Sequence, residues 1–296
     1  MIAGEKPASI AGWGTSPVHV VCVGACTLDT IVQVARHPEA DERVRAQELR
    51  LAGGGPAATA AVTLARLGVE TLFIGATGDD DAGATVRDDL EAEGVDLSEL
   101  TVVPGARSAQ SVVVVAGETR AICAFPGTLP PLALSERARE LCRTAAWVHV
   151  DHVGYGTVPR EVRLSIDGGN PIDGLDLRAA ALYAPAERAL AAQFGGAQEA
   201  LAAGAELVVV TRGDAGSVAY TRDGDVVEAP AFPVDAVSTL GAGDVFHGAL
   251  LAQLAREVLL ADALAAANAC AALSCRTIDA RSGIPTADEL EAALVT

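Results

Sequence analysis

The sequence predicts an α/β fold, with a mostly parallel central sheet between layers of helices and a small, separate second β-sheet. Three observations lead there. Apolar β-branched runs alternate along the chain with Ala- and Leu-rich stretches of helical period, Gly and Pro mark the junctions, and two segments, 29–51 and 109–126, break the alternation. Regular alternation implies βαβ units and ligand sites beyond the C-terminal ends of the strands.

Taken in order, residues 1–17 contain Glu5 and Lys6 and no apolar signal-peptide core, and are expected to form a flexible N-terminal segment. Residues 18–24 read as a buried strand. Residues 56–67 read as a helix with Pro56 in its first turn and Gly68 as its stop. Residues 70–74 form the next strand, and 80–93 a helix with acidic residues in its first turn and Gly94 at its end. Residues 147–150, 164–167 and 206–211 read as further buried strands, and 242–255 and 261–273 as helices. Only about a dozen residues join the strands ending at Val150 and beginning near Arg163, so a crossover helix there is abbreviated. In the two exceptional segments, residues 30–34, 43–49 and two runs flanking Gly117 read as antiparallel strands of the separate sheet, with edge strands of the main sheet as the other reading. The expected division is therefore a core of 18–28, 52–108 and 127–296, and a small separate β-sheet of 29–51 and 109–126.

Composition narrows the function. The 296 residues carry 39 acidic and 21 basic side chains, a net charge of −18, and half of them are apolar. That surface repels nucleic acid and anionic membranes, so a bound phosphate must be held by local dipoles, a cation and a few Arg residues. Salt screens the opposing field over about 8 Å. The six Cys lack C-x-x-C spacing and read as free buried thiols, which suits a reducing, cytoplasmic setting. No uninterrupted apolar stretch reaches the roughly 20 residues that span a bilayer.

The chemistry concentrates in Ser238-Thr239-Leu240-Gly241-Ala242-Gly243-Asp244, which runs directly into an apolar helical stretch. Main-chain N–H groups of Gly241, Ala242 and Gly243 at a helix start favour an oxyanion, and Asp244 beside them can take a proton from a hydroxyl. Together they suit phosphoryl transfer, which needs positioning, charge stabilisation and an oriented nucleophile. Taken alone, the same residues also fit a tight turn with a dipole-stabilising Asp.

With this turn in view, the chain resembles the ribokinase-like, or PfkB, carbohydrate kinases, whose signature is close to D-T-x-G-A-G-D followed by a small or branched residue and Phe. Thr239, Gly241, Ala242, Gly243, Asp244 and Phe246 match it, and Ser238 replaces the first Asp. Further matches in order are Asp29 after the first strand, the turn Gly53-Gly54-Gly55-Pro56, Gly75 and Gly78-Asp79-Asp80, Thr211-Arg212-Gly213 with Gly216, and Asn268 leading to Gly283-Ile284-Pro285. Within the family, GGGPAATAAV, GDDD and GAGDVFHGAL are most similar to sulfofructose kinases, and Ser-Thr-Leu-Gly-Ala-Gly-Asp is similar to ketohexokinases.

The resemblance implies a ribokinase-like three-layer Rossmann-type sandwich, ATP and Mg²⁺, a small-molecule sugar acceptor, and a lid that often forms a homodimer surface. It implies that Asp29 accepts hydrogen bonds from sugar hydroxyls and that Gly54 and Gly55 let the substrate approach the backbone. Thr211, Gly213, Gly216 and Thr239 fall to the nucleotide, with Asn268 near the adenine. Glu187 matches the Glu of an N-x-x-E motif that organises Mg²⁺ through water, although Ala184 replaces its Asn. Ser238 stands where an Asp often helps bind a monovalent cation, so K⁺ activation is not expected.

Departures bear on specificity. Gly55 and Ala58 occupy positions where many relatives grip the sugar with Asn, which leaves Asp29, Gln110 and Arg120 as the substrate-contact candidates. Ala124 stands where a sulfosugar enzyme would have Asn, and no Arg falls between His149 and Val158, which argues against a sulfonated substrate. His149, His152 and Tyr155 can read neutral hydroxyls or serve as structural hydrogen-bonders. The expected activity is transfer of the ATP γ-phosphate to a primary hydroxyl of a small sugar, with Asp244 as base. The alternatives are a non-catalytic sugar-binding relative, a nucleoside kinase of the same fold, and a nicotinamide dehydrogenase, for which the G-x-G-x-x-G after the first strand is missing.

Overall fold

Most strands of the central sheet are short apolar runs whose alternate side chains go to opposite faces, the pattern of a sheet buried on both sides. The computed structural model describes residues 19–117 and 119–295, and the expected flexible segment 1–17 lies outside them. In chain order the elements are β1 (His19–Val23), β2 (Thr27–Gln33), β3 (Glu48–Gly54), α1 (Pro56–Arg66), β4 (Glu70–Ile74), β5 (Ala76–Gly78), α2 (Asp81–Ala92), β6 (Thr101–Val103), β7 (Gln110–Ala116), β8 (Thr119–Phe125), α3 (Glu136–Thr144), β9 (Trp147–Val150), β10 (Leu164–Asp167), β11 (Ala180–Ala184), α4 (Glu187–Gln193), α5 (Ala197–Ala202), β12 (Leu207–Thr211), β13 (Ser217–Thr221), β14 (Val226–Ala229), α6 (Ala242–Leu254), α7 (Leu260–Ser274) and α8 (Ala287–Val295).

The central sheet has the order β14-β13-β12-β11-β10-β9-β1-β4, parallel from β4 to β12 and antiparallel at β13 and β14. Val20 and Cys22 of β1 face a core shared with α1, α6 and α7, while Val21 and Val23 face a second core with Ala138 of α3, Leu190 of α4 and Ala200 of α5. α6 and α7 are apolar on nearly every side because they are buried between layers. The β9–β10 connection contains no helix, as its length implies. No described helix is long and apolar enough to cross a membrane.

The second sheet has the order β3-β2-β7-β8. Its centre departs from the expected antiparallel pattern, because β2 and β7 run parallel while β2–β3 and β7–β8 are antiparallel. Residues 43–47 are not strand. β3 instead runs through Gly53 and Gly54, residues expected in a turn. The reason is crowding: a Cβ on Gly53 would lie 2.1 Å from Arg281 Nη1, and one on Gly54 would lie 2.1 Å from Asp29 Oδ2. Glycine marks a strand crossed closely by other groups.

The sheet's inner face, with Ile31, Val113 and Val115, packs on Ile278 and on Leu240 of the signature turn. Its outer face exposes Leu49, Leu51 and Val112. Cys123 shares that outer face and is exposed, whereas the other five thiols are buried as expected.

Candidate active site

Asp244 owes its position to glycine. Gly241 caps α6 at φ +70°, a left-handed conformation that other residues adopt only with strain, and a Cβ there would lie 2.3 Å from the Ala280 side chain. Farther along, Gly248 lets α6 lie on α1, since a Cβ would meet the Ala60 carbonyl at 2.6 Å. The first helical residues are Ala242, Gly243 and Asp244, whose N–H groups precede the intrahelical ladder. Of the three donors expected at the anion site, the Ala242 N–H makes a long turn bond to the Thr239 carbonyl (3.4 Å), and Gly243 is exposed with open space beside it. Ser238 is buried, and its Oγ accepts from the Leu240 N–H to shape the turn.

Asp244 is half-buried in the first turn of α6. Burial of its carboxyl, then the nearby Asp167 charge, raise its pKa to about 7. His247 and Arg120 pull it down, and Asp151 pushes it up. A carboxyl so placed is neutral or ionised near physiological pH, as a general base requires.

A cavity of about 570 Å³ adjoins this turn. Thr239, Ala242, Gly243, Thr211, Gly213, Gly216 and Asn268, all named from the sequence, share its wall with apolar Phe232, Pro233 and Phe246. Asn268 does more than face the cavity, because its amide donates to the Ala229 and Pro230 carbonyls and pins the loop forming the opposite wall. Glu187 is exposed in the first turn of α4, beside the strand end through the Ala186–Thr211 bridge.

On the lid side, Asp29 is buried on the inner face of β2, where Thr27 and Ser111 hydroxyls donate to it and burial raises its pKa. Gly54 lies against it. Gly55 has φ +91° and presses on the Ala25 carbonyl, which gives it a firm structural role at the start of α1. Gln110 is in register with Leu28, one position off Asp29, and therefore lies on the other face of the sheet. A one-residue offset reverses the face of a strand side chain, so Ser111, not Gln110, stands beside Asp29. Arg120 is on the inner face but exposed, and its Nη1 donates to Thr239 Oγ1 at 2.9 Å, linking the lid to the signature turn rather than to Asp29.

Several residues escaped the sequence reading. Asp151 accepts from four main-chain N–H groups, those of Ala25, Ala57, Val153 and Gly154, and supplies the cap that Gly55 cannot give α1. Buried Arg281 bonds Asp89 and the Gly54 carbonyl, and its neighbour Ala280 touches Gly241, so one loop joins the signature turn to the Asp29 side. The GDDD motif is a tether: Asp80 caps α2 and binds Ser108, while Asp79 holds the Gly105 N–H.

Beneath Asp244 lies a buried cluster of His149, Asp167 and His247. His149 is fully buried and pushed down to about 3, by burial and then by His247, so it is not a reader of sugar hydroxyls. Tyr155 is engaged with Asp176, and His152 is exposed. Burial lowers the His247 pKa, but Asp167 at 3.1 Å more than offsets it. The only signal for His247 in the sequence is a polar residue within the apolar run of α6.

Comparison with known proteins agrees with this geometry. The sequence pattern of the pfkB family carbohydrate kinases matches residues 18–165 and 184–287. An ATP-dependent ribose-1-phosphate kinase of Halopiger xanaduensis is 33% identical over 292 residues, covering 94% of this chain and 98% of the relative. A ribokinase of Bacillus subtilis is 28% identical, covering 92% and 98%. The structure of Arabidopsis thaliana ribokinase complexed with ribose and ATP superposes with a TM-score of 0.78 at 22% identity, covering 95% of this chain and all of that one. On these matches along nearly its whole length, the chain belongs to the pfkB family of carbohydrate kinases and is a sugar-kinase phosphotransferase.

Proposed function

We propose that this enzyme transfers the γ-phosphate of ATP to a primary hydroxyl of a small sugar enclosed between the core and the lid, with Asp244 as general base. The observation that carries the reading is the position of Asp244 in the first turn of α6, next to cavity-lining Ala242 and Gly243, with Arg120 of the lid bonded to Thr239 of the same turn. The cavity volume suits a nucleoside, and its apolar wall suits a base. The acceptor O–H gives its proton to Asp244 as the oxygen attacks phosphorus and the bond to the departing ADP breaks. N–H groups at the start of α6 stabilise the charge on the phosphoryl oxygens. The lid excludes water and limits futile hydrolysis.

A Mg²⁺ ion suits Glu187, an exposed oxygen donor in the first turn of α4, since this ion keeps most of its waters. Bound with the nucleotide, it would neutralise phosphate charge. Asp29, held by Thr27 and Ser111, is the proposed acceptor for sugar hydroxyls. The relatives named for ribose and ribose 1-phosphate support a pentose-sized acceptor over a sulfosugar. The apolar outer face of the lid, with Leu49, Leu51 and Val112, is the proposed homodimer surface.

An ATP-coupled screen of pentoses, pentose phosphates, ketohexoses, nucleosides and sulfosugars, with mass spectrometry of the products, tests this reading. A phosphorylated sugar and equimolar ADP are expected. Ligand-stabilised melting with no phosphorylated product from any acceptor would instead favour a binding protein.

A further inference from the structure

His149 lies on β9, Asp167 ends β10 and His247 is on α6, so three separate elements bring these side chains together in the interior. We propose that they bind one divalent cation of the zinc class, at a site separate from the Mg²⁺–nucleotide position.

Each side chain is anchored on its outward side. His149 Nδ1 lies 3.0 Å from Ser165 Oγ, Asp167 Oδ1 accepts the Gly169 N–H at 2.6 Å, and the Ala184 carbonyl is a second acceptor at the His247 ring. The remaining atoms turn inward. His149 Nε2 and His247 Nδ1 are buried without a hydrogen-bond partner, and one ligand atom from each of the three residues lies within 4.8 Å of the others. His247 Nδ1 has Asp167 Oδ2 at 3.1 Å as its one polar neighbour within the cluster, while His149 Nε2 has none. The His149, Asp167 and His247 residues are 0%, 3% and 5% exposed.

Buried polar atoms are almost always satisfied, so this convergence needs an occupant. A proton on His247 answers Asp167 but leaves His149 Nε2 unpaired. A cation takes lone pairs from both imidazoles and the carboxylate at once. Outer hydrogen bonds that fix the ligating side chains are the usual second layer of a metal site. Two imidazole nitrogens and one carboxylate form a set for Zn²⁺, Co²⁺ or Ni²⁺ rather than for Mg²⁺, which prefers oxygen. With metal–ligand distances of about 2.0–2.1 Å, tetrahedral ligands sit about 3.4 Å apart, so closing this cluster needs shifts of no more than about 1.4 Å.

The test is a Co²⁺ titration of chelator-stripped protein without nucleotide or sugar, so its outcome is independent of the kinase reading. A visible ligand-field band saturating at one Co²⁺ per chain and displaced by Zn²⁺ is expected. His149→Gln and His247→Asn should each abolish it while Glu187→Gln retains it, with circular dichroism confirming folding. Where His247→Asn fails to fold, His149→Gln decides. A spectrum that stays that of hydrated Co²⁺, a band that survives in folded His149→Gln, or a band lost in folded Glu187→Gln overturns the proposal.

Discussion

At the residue scale, the account turns on one carboxyl whose ionisation is poised by its surroundings. Burial and the Asp167 charge lift Asp244 to about 7. A base acts only when ionised, so lowering the pH through that value removes the active form. With Mg²⁺ as the only divalent cation, the rate of the chemical step should therefore rise with pH and level off above about 7, and rapid-quench measurements would show that limb. A flat profile across neutrality contradicts the assignment. The sequence disclosed Asp244 and its glycines because a helix start with an acid in its first turn is a local pattern. It hid Asp151, Asp167 and Arg281, whose partners lie far away in the chain and meet them only through the fold. Gln110 was misread for a related reason, since the face of a strand residue depends on register, which composition does not specify.

At the element scale, the entrance to α6 and the lid latch make separate predictions. Gly241→Ala forces a side chain into φ +70° and against Ala280, so a loss of at least about 1–2 kcal/mol of stability is expected by calorimetry. Its nucleotide affinity, read by isothermal titration, should fall as well. Arg120→Ala removes the exposed bond to Thr239, worth about 1 kcal/mol. Sugar KM should rise several-fold and ATP hydrolysis without transfer should increase, while ATP affinity holds; an unchanged ratio of hydrolysis to transfer would deny Arg120 a closing role. Most core elements named from the sequence are present with ends shifted by a residue or two, because apolar runs and Gly or Pro stops are local. β11, Ala-rich with no β-branched residue, carried no strand signal, and residues 43–47 carried a false one that the crowded glycines of β3 override.

At the scale of the whole molecule, the proposed homodimer rests on the exposed apolar outer face of the lid, with Leu49, Leu51 and Val112. Leu49→Glu with Leu51→Glu should convert a dimer to a monomer in light scattering, and a wild-type monomer at micromolar concentration would contradict that surface. The family and its layered architecture were legible because spaced glycine motifs mark where backbone crosses backbone. The acceptor was not, since Gly55 and Ala58 stand where the resemblance implies sugar-gripping Asn, and which residues of the second sheet lie beside Asp29 depends on strand register. The most direct test of the account is single-turnover phosphoryl transfer from ATP to the acceptor found in the screen, comparing wild type with Asp244→Asn. The account predicts a transfer rate lower by about 10²–10⁴-fold with nucleotide affinity nearly unchanged. Transfer at the wild-type rate in Asp244→Asn would contradict it.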